Sequence, residues 1–476
     1  MNDCTFLPVC GQSEKHSSKP LTPSFNRSIK ISPSSQRLSS DGGALLLREL
    51  DQALGFTEHF SDRLLDPRWE ELCTYSMAEL LRARLFLIAQ GWRDQNDANQ
   101  LREDPALCAA VADVRGMAAA DKQLASQSTH SRLINTLASP DNRHALRDAP
   151  GELAIRCQKL IHKHPLRSFT LDLDSTPIET HGQQQGANYN GHYRETCYNP
   201  LLAFVAETGD LAGSWLRKGN CASQRGATAF ALPLIDRLEE HYGAVADVRG
   251  DAAFADPVLM AALEQRDVHY VFRLKTNAVL DRLAEPYLTA PLGRPANFIR
   301  EWTYELSYGA ESWYCERRLV LVVIDDPNDR FLGKSVLRCF FLVTSFPPRA
   351  MNGAALLEHY RARGTAENWI GEFKDQLAPL LSSPRMADNR ATLTLYVLAY
   401  QLAHSLRLLA NKRGTPRPDA QAQRGTRLSI SGLRERVLKV AVRFTRSARR
   451  LLVDVAESAW PIWQKLFSWL ARHAPA

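Results

Sequence analysis

The stretch Ser168–Thr176, with the sequence SFTLDLDST, marks a change in the character of the chain. Apolar, β-favouring residues alternate there with polar ones, and Pro177 ends the run, so a β-strand is predicted. Asp172 and Asp174 are two positions apart, which puts both carboxylates on the same face of that strand. Two acids on one face of an otherwise apolar strand indicate either a solvated surface or a ligand site, and the stretch alone leaves both open.

Strands and helices alternate in the region that follows. Strands are predicted at Leu201–Glu207, Ala244–Arg249 and Tyr270–Leu274, with helical patterns between them, which together indicate a mixed α/β core. Asp251 comes just after the second of these strands, next to Gly250. A carboxylate at a strand end beside a glycine suits a ligand or metal site, whereas a cap for the next helix is the alternative explanation.

The regions around this core differ from it in pattern. Before the core, apolar residues recur every three or four positions, which predicts helices. That region is either a DNA-binding region or a plain helical packing region, and Arg132 is predicted to lie exposed on one of its helices. The predicted order is a flexible arm over 1–39, a helical N-terminal DNA-binding region over 40–162, the first part of the core over 163–277, a β-rich insertion over 278–346, the second part of the core with the catalytic helix over 347–400, and a basic helical C-terminal region over 401–476.

Composition excludes several classes of protein. Hydrophobic residues make up 45% and charged residues 23% of the 476 residues, as in ordinary globular proteins. No apolar run is long enough for a membrane span, and no secretory leader pattern is present, so a cytoplasmic protein without a membrane partner is expected. The nine cysteines form no C-x-x-C pair, so neither a zinc site nor a disulfide framework is indicated.

Positive charge is concentrated near the C-terminus. Between His404 and Arg450, 13 Lys and Arg residues are opposed only by Asp419 and Glu435, a net charge of +11 against +7 for the whole chain. A basic segment on a mildly acidic body predicts a polyanion partner and, with it, a nucleoid-associated location. A solubilising tail is the alternative interpretation.

The stretch YRARGTAENWIGEFK lies in a helix predicted over 353–377. It holds Tyr360, Arg363, Glu367 and Lys374. At about 100° per residue, an ideal helix would present these four side chains within about 60° of arc. An i,i+4 salt bridge on a solvated face explains the arginine and the glutamate but not the other two residues.

Acids therefore stand on two strands and one helix: Asp172 or Asp174 on the first strand, Asp251 after the second, and Glu367 on the helix. Oxygen ligands of this kind suit Mg²⁺ or Mn²⁺. Two such ions about 4 Å apart can activate the attacking oxygen and stabilise the leaving oxygen in phosphoryl transfer.

At this point the chain resembles a known family, the bacterial insertion-sequence transposases of the Asp-Asp-Glu type with a Tyr-x2-Arg-x3-Glu-x6-Lys signature. The four residues of the predicted helix match that spacing without a gap, and DLDST and VRGDAAFA resemble the blocks around the two aspartates. The resemblance covers about residues 35–450. It implies an α/β fold: an RNase H-like catalytic core with an all-α N-terminal region, a β-rich insertion and a helical C-terminal region.

The resemblance also implies roles for individual residues. Asp174 would be the first catalytic acid, with Asp172 as the fallback, and Asp251 and Glu367 would complete a triad that binds two Mg²⁺ or Mn²⁺ ions. Tyr360, Arg363 and Lys374 would contact the terminal phosphates of the cut DNA. Further DNA contacts are predicted for Trp302 or Trp313 (stacking on a flipped base), Lys275, Arg273 and Arg132.

The implied reaction is metal-dependent hydrolysis at the ends of the insertion sequence, followed by attack of the freed 3′-OH on target DNA. Pairing two ends implies a homodimer on DNA. Some members cut the second strand through a hairpin, a route that these residues do not reveal. Two alternatives remain: a two-metal nuclease of RNase H-like fold without strand transfer, and a non-catalytic DNA-binding protein in which the three acids would not converge.

Overall fold

The computed structural model describes residues 20–162, 164–288, 297–327, 337–413 and 428–474. The first part is helical, as the apolar spacing predicted. Ser76 and Glu79 form a capping box at the start of one of its helices, whose 14 residues are all buried. The helices are α1 (Ala44–Leu54), α2 (Phe56–Asp62), α3 (Met77–Gln90, the buried one), α4 (Asp97–Gln100), α5 (Pro105–Val111), α6 (Gln127–Leu137) and α7 (Arg143–His162).

A large mixed sheet follows, and eight strands of the described ranges belong to it. In spatial order they are β10 (Arg300–Tyr308), β11 (Arg317–Asp325), β12 (Arg338–Thr344), β9 (His269–Leu274), β8 (Gly243–Gly250), β2 (Leu166–Ser175), β6 (Leu201–Val205) and β7 (Leu211–Trp215). β8 runs parallel to both β2 and β9, and the other neighbours are antiparallel. The four strands predicted in the core are all present.

The two faces of this sheet are covered by different helices. On one face, Leu171 and Leu173 pack with α8 (Ala227–His241) and α9 (Pro257–Glu264). On the other, Leu202 and Phe204 pack with α13 (Met386–Arg413) and the N-terminal helices. Because Asp174 pairs with Leu202 in the sheet, the β2 carboxylates share the face of α13.

The predicted β-rich insertion extends the central sheet. Its described residues form α10 (Ala278–Ala284) and the strands β10, β11 and β12. β12 pairs with β9, so the three strands continue the central sheet. Local periodicity predicts a strand but not its partner, so the sequence alone left open where these strands pair.

The C-terminal region is not wholly helical as predicted. It contains α14 (Ile430–Leu433), α15 (Trp460–Ala471) and a hairpin of β13 (Val442–Ser447) and β14 (Arg450–Val455), which pairs with β1 (Arg37–Ser39). β1 lies at the end of the predicted flexible arm. Val442 and Phe444 alternate with exposed residues on β13, the period-two pattern of a strand with one buried face.

A small three-stranded sheet and two short helices complete the surroundings of the site. A small sheet contains β3 (Ile178–Glu179), β4 (Asn188–Asn190) and β5 (Glu195–Tyr198), and two short helices, α11 (Gly353–Arg361) and α12 (Gly364–Glu372), precede α13. No helix within the described ranges is both long and apolar enough to cross a membrane.

Candidate active site

The first two predicted acids lie at the same edge of the sheet. β2 and β8 are parallel neighbours, and Asp172 is paired with Arg249. Asp174 stands two residues further along β2 and Asp251 directly follows the end of β8, so this register places both at the same edge of the sheet. The charge of Asp251 acts on Asp174, as this proximity requires. Two carboxylates therefore meet where the two strands end.

Asp172 and Arg249, two residues before these acids, form a buried ion pair. Arg249 donates to both oxygens of Asp172, at 2.7 and 2.8 Å, and the two side chains are 3% and 1% exposed. This bidentate geometry uses the whole carboxylate. Asp172, the fallback for the first acid, is thus bound within the sheet, and Asp174 is the β2 carboxylate that reaches the rim.

The same network holds α11 against the sheet. Arg249 also donates to the backbone oxygen of His359, and the His359 ring lies 2.8 Å from Asp247 on β8. Thr170 donates to the other oxygen of Asp247 at 2.9 Å. The final turn of α11, which carries Tyr360, is therefore fixed by contacts below the acidic pair.

The predicted continuous helix over 353–377 is wrong. α11 and α12 are separated by a tighter turn, in which the amide of Arg363 bonds Tyr360 at 3.1 Å and the amide of Ala366 bonds Arg363 at 2.9 Å. A wider π-type turn over Phe373–Leu377 follows. The first turn overwinds the chain and the second underwinds it, so a constant 100° per residue does not apply over the whole segment. Gly364, a poor helix former, stands at the break.

Arg363 occupies the centre of the site. Its Nη1 lies 2.9 Å from Asp174 Oδ2, and its Nη2 lies 2.7 Å from Glu367 Oε1. The arginine side chain is 12% exposed and that of Glu367 is 58% exposed. The third predicted acid is therefore connected to the first through a guanidinium rather than by direct approach.

These charges shift the ionisation of the site. Burial raises the pKa of Asp174 to about 6, Arg363 opposes that rise, and Asp251 adds to it. Burial by itself would lower the pKa of Arg363, but Asp174, Tyr360 and Glu367 raise it above the ordinary value. The site is thus short of positive charge, since one guanidinium serves several acidic groups.

Two further side chains of the signature lie around this centre. Tyr360 is half-buried, and burial raises its pKa while Arg363 and Arg273 lower it. Lys374 is also half-buried and acts on the thiol of Cys197 in β5, so it faces the small sheet. The structure brings Tyr360 to the acids and puts Lys374 on the neighbouring surface.

The family model for "Transposase DDE domain group 1" matches residues 21–474. The chain belongs to that family. This transposase has no match among curated proteins. The cryo-EM structure titled "piggyBac transposase synaptic complex with hairpin DNA" is similar over 93% of this chain and 88% of that chain, at 12% identity and a TM-score of 0.41. A likeness of that size supports no conclusion by itself, so family membership carries the assignment: the protein is a DNA transposase.

DDE transposases use divalent metal ions. Within the described residues, no three His, Cys, Asp or Glu side chains lie close enough together to hold one. The chemistry of the rim nevertheless fits such an ion. Asp174 and Asp251 supply hard oxygen donors, and the Arg363 cation stands between Asp174 and Glu367, where positive charge is needed.

One residue beside the acids was missed from the sequence. Tyr193 lies between β4 and β5, and its hydroxyl is 3.5 Å from the backbone oxygen of Ser175. Burial raises its pKa, and the charges of Asp174 and Asp251 raise it further. Its loop has no periodicity, so only the fold brings it there. Arg249, in contrast, was detectable, because it precedes Asp251 by two positions on a predicted strand.

Among the other predicted DNA contacts of the transposase, Arg273 is exposed on β9, and its charge acts on Tyr360. Arg132 is exposed on α6, and Lys275 is exposed just after β9. Trp302 on β10 packs against the core, with the Arg300 guanidinium 5.5 Å from its ring centre. Trp313 likewise packs against the core beneath Arg317. Both tryptophans have protein partners of their own.

The basic segment of the transposase carries less unpaired charge than its composition predicted. Several of its cations have partners within the protein, and burial lowers the pKa of one, Arg434, to about 10. Arg436, Arg449 and Arg450 are exposed. The partnered cations are Arg407 with Glu372, Arg434 with backbone oxygens, Lys439 with Asp41, Arg443 with Asp454 and Arg446 with Asp121. Part of the segment, 414–427, lies outside the described residues.

Proposed function

We propose that this transposase cuts DNA at the ends of a bacterial insertion sequence and joins the freed 3′-OH to target DNA. Asp174, Asp251 and Glu367 are the catalytic acids of this proposal. The observation that carries it is the pair of aspartates at one sheet edge, linked through Arg363 to the glutamate of the next helix. Two acids on a sheet and one on a later helix also support an RNase H-like core.

In this proposal the three acids hold two Mg²⁺ or Mn²⁺ ions. Such ions lower the cost of negative charge on the attacking and leaving oxygens of a phosphodiester. Asp174 and Asp251 supply ligand oxygens from neighbouring strands, and the Asp172–Arg249 pair beneath them fixes those strands. Glu367, 58% exposed, supplies its carboxylate from α12.

Arg363, Tyr360 and Lys374 hold the DNA in this proposal. Arg363 exchanges its two carboxylates for a phosphate, a partner of the same charge and geometry. The Tyr360 hydroxyl donates a hydrogen bond to a phosphate oxygen next to it. Lys374 holds the strand where it leaves the site toward the small sheet. The match of all four residues to the Tyr-Arg-Glu-Lys spacing supports this division of roles.

Both chemical steps use the same groups. The acids first position water, and later the 3′-OH, in line with the bond that breaks, and the leaving oxygen departs on the opposite side. Two ends must be cut and joined together, so the active form is a homodimer on DNA, associated with the nucleoid. A nuclease with the same acids would stop after hydrolysis, so a joining assay distinguishes a nuclease from a transposase.

The test is cleavage of a labelled duplex that carries the terminal sequence of the element, with Mg²⁺ present. Wild type is expected to nick at the end and to join that end to a second, unlabelled duplex. Glu367→Gln should abolish both products and leave end binding intact. Glu358→Gln, which neutralises a 75% exposed acid on α11, is the matched control and should cleave normally. Cleavage by Glu367→Gln would refute the assignment, and hydrolysis without joining would favour the nuclease.

A further inference from the structure

A cavity of about 440 Å³ lies where the helical N-terminal part meets the edge of the sheet. Its walls come from the end of α6, the first turns of α7, the end of β7, α8 and the beginning of α13. Pockets of this size between layers are where proteins commonly bind small ligands. None of the residues of the acidic rim lines it.

One side of the cavity is aromatic and apolar. Trp215, at the end of β7, is half-buried, and Phe230 on α8 is 9% exposed. Their ring centres are 6.5 Å apart, with planes inclined by 40°. The lining continues with Leu146 and Leu234. A flat apolar group would gain contact area here and could stack on the indole.

The other side carries more positive charge than the protein compensates. Asp148 is the one acid among the lining residues, and it already pairs with Arg147 at 2.9 Å and Arg237 at 2.7 Å. Arg143 and Arg390 also line the cavity. Within the described parts of the chain, neither of these two forms an ion pair, and Nε of Arg390 is buried without a hydrogen-bond partner.

The two uncompensated arginines act on each other. Burial lowers the pKa of Arg390, and the charge of Arg143 lowers it further. Two like charges at one wall, one of them with an unsatisfied buried nitrogen, favour the binding of an anion between them. The first turns of α7 and α13 also line the cavity, and the positive ends of two long helices favour the same kind of ligand.

We propose that this cavity binds one nucleotide unit, with the base against Trp215 and Phe230 and the phosphate between Arg143 and Arg390. Base stacking on an aromatic side chain and a charge-assisted arginine–phosphate contact are the two interactions that the opposite walls provide. The unit is either a free nucleotide or an unpaired nucleotide of a DNA strand.

The position of the cavity suits a strand that continues beyond the acids. Trp215 pairs with Leu201 on β6, which in turn pairs with Ser175, the neighbour of Asp174. Two strand spacings, about 10 Å, therefore separate the tryptophan backbone from the end of β2. The tryptophan side chain lies on the opposite face of the sheet from Asp174, so the cavity is reached around the edge of β7.

The test uses the full-length protein in EDTA, which removes divalent metal ions. The result therefore does not depend on whether the proposed metal site exists. The probe is 2-aminopurine deoxyriboside 5′-monophosphate, whose fluorescence falls on stacking. Saturable quenching is expected, with competition by inorganic phosphate. Arg143→Gln and Arg390→Gln should each weaken binding about tenfold, the loss of one charge-assisted contact. Lys159→Gln, an exposed cation on α7 outside the cavity, is the control and should bind as wild type does.

A second arm separates the two sources. A duplex with an unpaired 2-aminopurine at its 3′ end is compared with the fully paired duplex and with the free probe. Quenching of the unpaired end, lost in Arg143→Gln, supports a DNA strand as the occupant, whereas quenching of the free probe alone supports a free nucleotide. No saturable quenching in any arm, or equal quenching in Arg143→Gln and wild type, would overturn the proposal. Arg143 is exposed, so that variant is expected to fold.

Discussion

Asp172 and Asp174 stand two residues apart on one face of one strand, yet their ion pairs with arginine differ in geometry and in solvent exposure. Asp172 accepts two bonds from Arg249 on the next strand, and neither side chain is more than 3% exposed. Asp174 accepts one bond from Arg363, at 2.9 Å, and the side chains are 18% and 12% exposed. Arg363 also belongs to Glu367, across a break between two helices.

The two ion pairs therefore differ in whether they can exchange partners. A buried bidentate pair between two hydrogen-bonded strands cannot open without leaving a charge in a dry environment. A pair at the rim, from strand to helix, can exchange its partner for a metal ion or a phosphate. The same two residue types therefore form a fixed pair in one row of the sheet and an exchangeable pair in the next.

The largest expected effect is on catalysis. Asp174→Asn should reduce end cleavage by about 10³-fold or more, because a metal ligand and its charge are lost. Folding stability should be unchanged or increased, since burial raises the pKa of Asp174 to about 6 and the fold therefore disfavours its charge. Cleavage rates and urea denaturation of the same preparation measure both. Retained cleavage would remove Asp174 from the active site.

The buried pair should respond in the opposite way. Asp172→Asn leaves the Arg249 guanidinium without its countercharge, and we expect a loss of about 3–5 kcal/mol in the free energy of unfolding. Urea denaturation measures it, with Asp174→Asn as the matched control on the same strand. Equal free energies of unfolding for the two variants would show that the buried Asp172–Arg249 pair stabilises the fold no more than Asp174 at the rim does.

A smaller effect should appear in metal affinity. Arg363→Gln removes the cation that neutralises Asp174 and Glu367, so Mn²⁺ should bind about tenfold more tightly in the absence of DNA. The same variant should bind cut DNA ends more weakly. Calorimetric titration with Mn²⁺ measures the first effect. Arg361→Gln, which removes a guanidinium paired with Glu301 and Glu358, is the control. Unchanged Mn²⁺ affinity would show that Arg363 does not compete with the metal.

The pH dependence follows from the raised pKa of Asp174, about 6. Mn²⁺ affinity should fall as the pH drops from 7 to 5, because protons then compete for the carboxylate. Folding stability should move the other way. A carboxyl whose pKa is higher in the folded state than its ordinary value of 3.8 stabilises the fold below that value, and this contribution is lost as the pH rises through about 6. The stability difference between wild type and Asp174→Asn should therefore depend on pH between 4 and 7. A constant difference would contradict the shift.

The smallest effect concerns the basic segment, where paired and unpaired arginines can again be compared. Arg449→Gln with Arg450→Gln should weaken DNA binding and reduce its salt slope by about two. Arg443→Gln, which breaks a pair with Asp454, should reduce it less. Binding measured across a range of salt concentrations decides this. Identical slopes would indicate that the segment serves solubility.

Much of the site was predictable from local sequence because its signals are local. A period of two placed Asp172 and Asp174 on one strand face, and a strand followed by Gly250 and Asp251 indicated a second acid at a strand end. The three acids and the blocks around the two aspartates indicated a transposase of the Asp-Asp-Glu type, and the DDE transposase family model matches residues 21–474. The four-residue spacing of Tyr360, Arg363, Glu367 and Lys374 stays a prediction. These features depend on neighbours within about one helical turn or a few strand residues.

The tertiary structure decided what local patterns do not contain, namely the partner of each group. Arg249 pairs with Asp172 because β8 lies beside β2, and this leaves Asp174 as the aspartate at the rim. Arg363, at the break before Gly364, donates to Asp174, a contact between distant parts of the chain that helical periodicity does not predict. Strand partners and ion pairs join residues far apart in the chain, and periodicity describes only which face a residue occupies. The sequence by itself therefore determined which acids are available, and the packing of distant elements determined which of them is bound within the sheet and which reaches its rim.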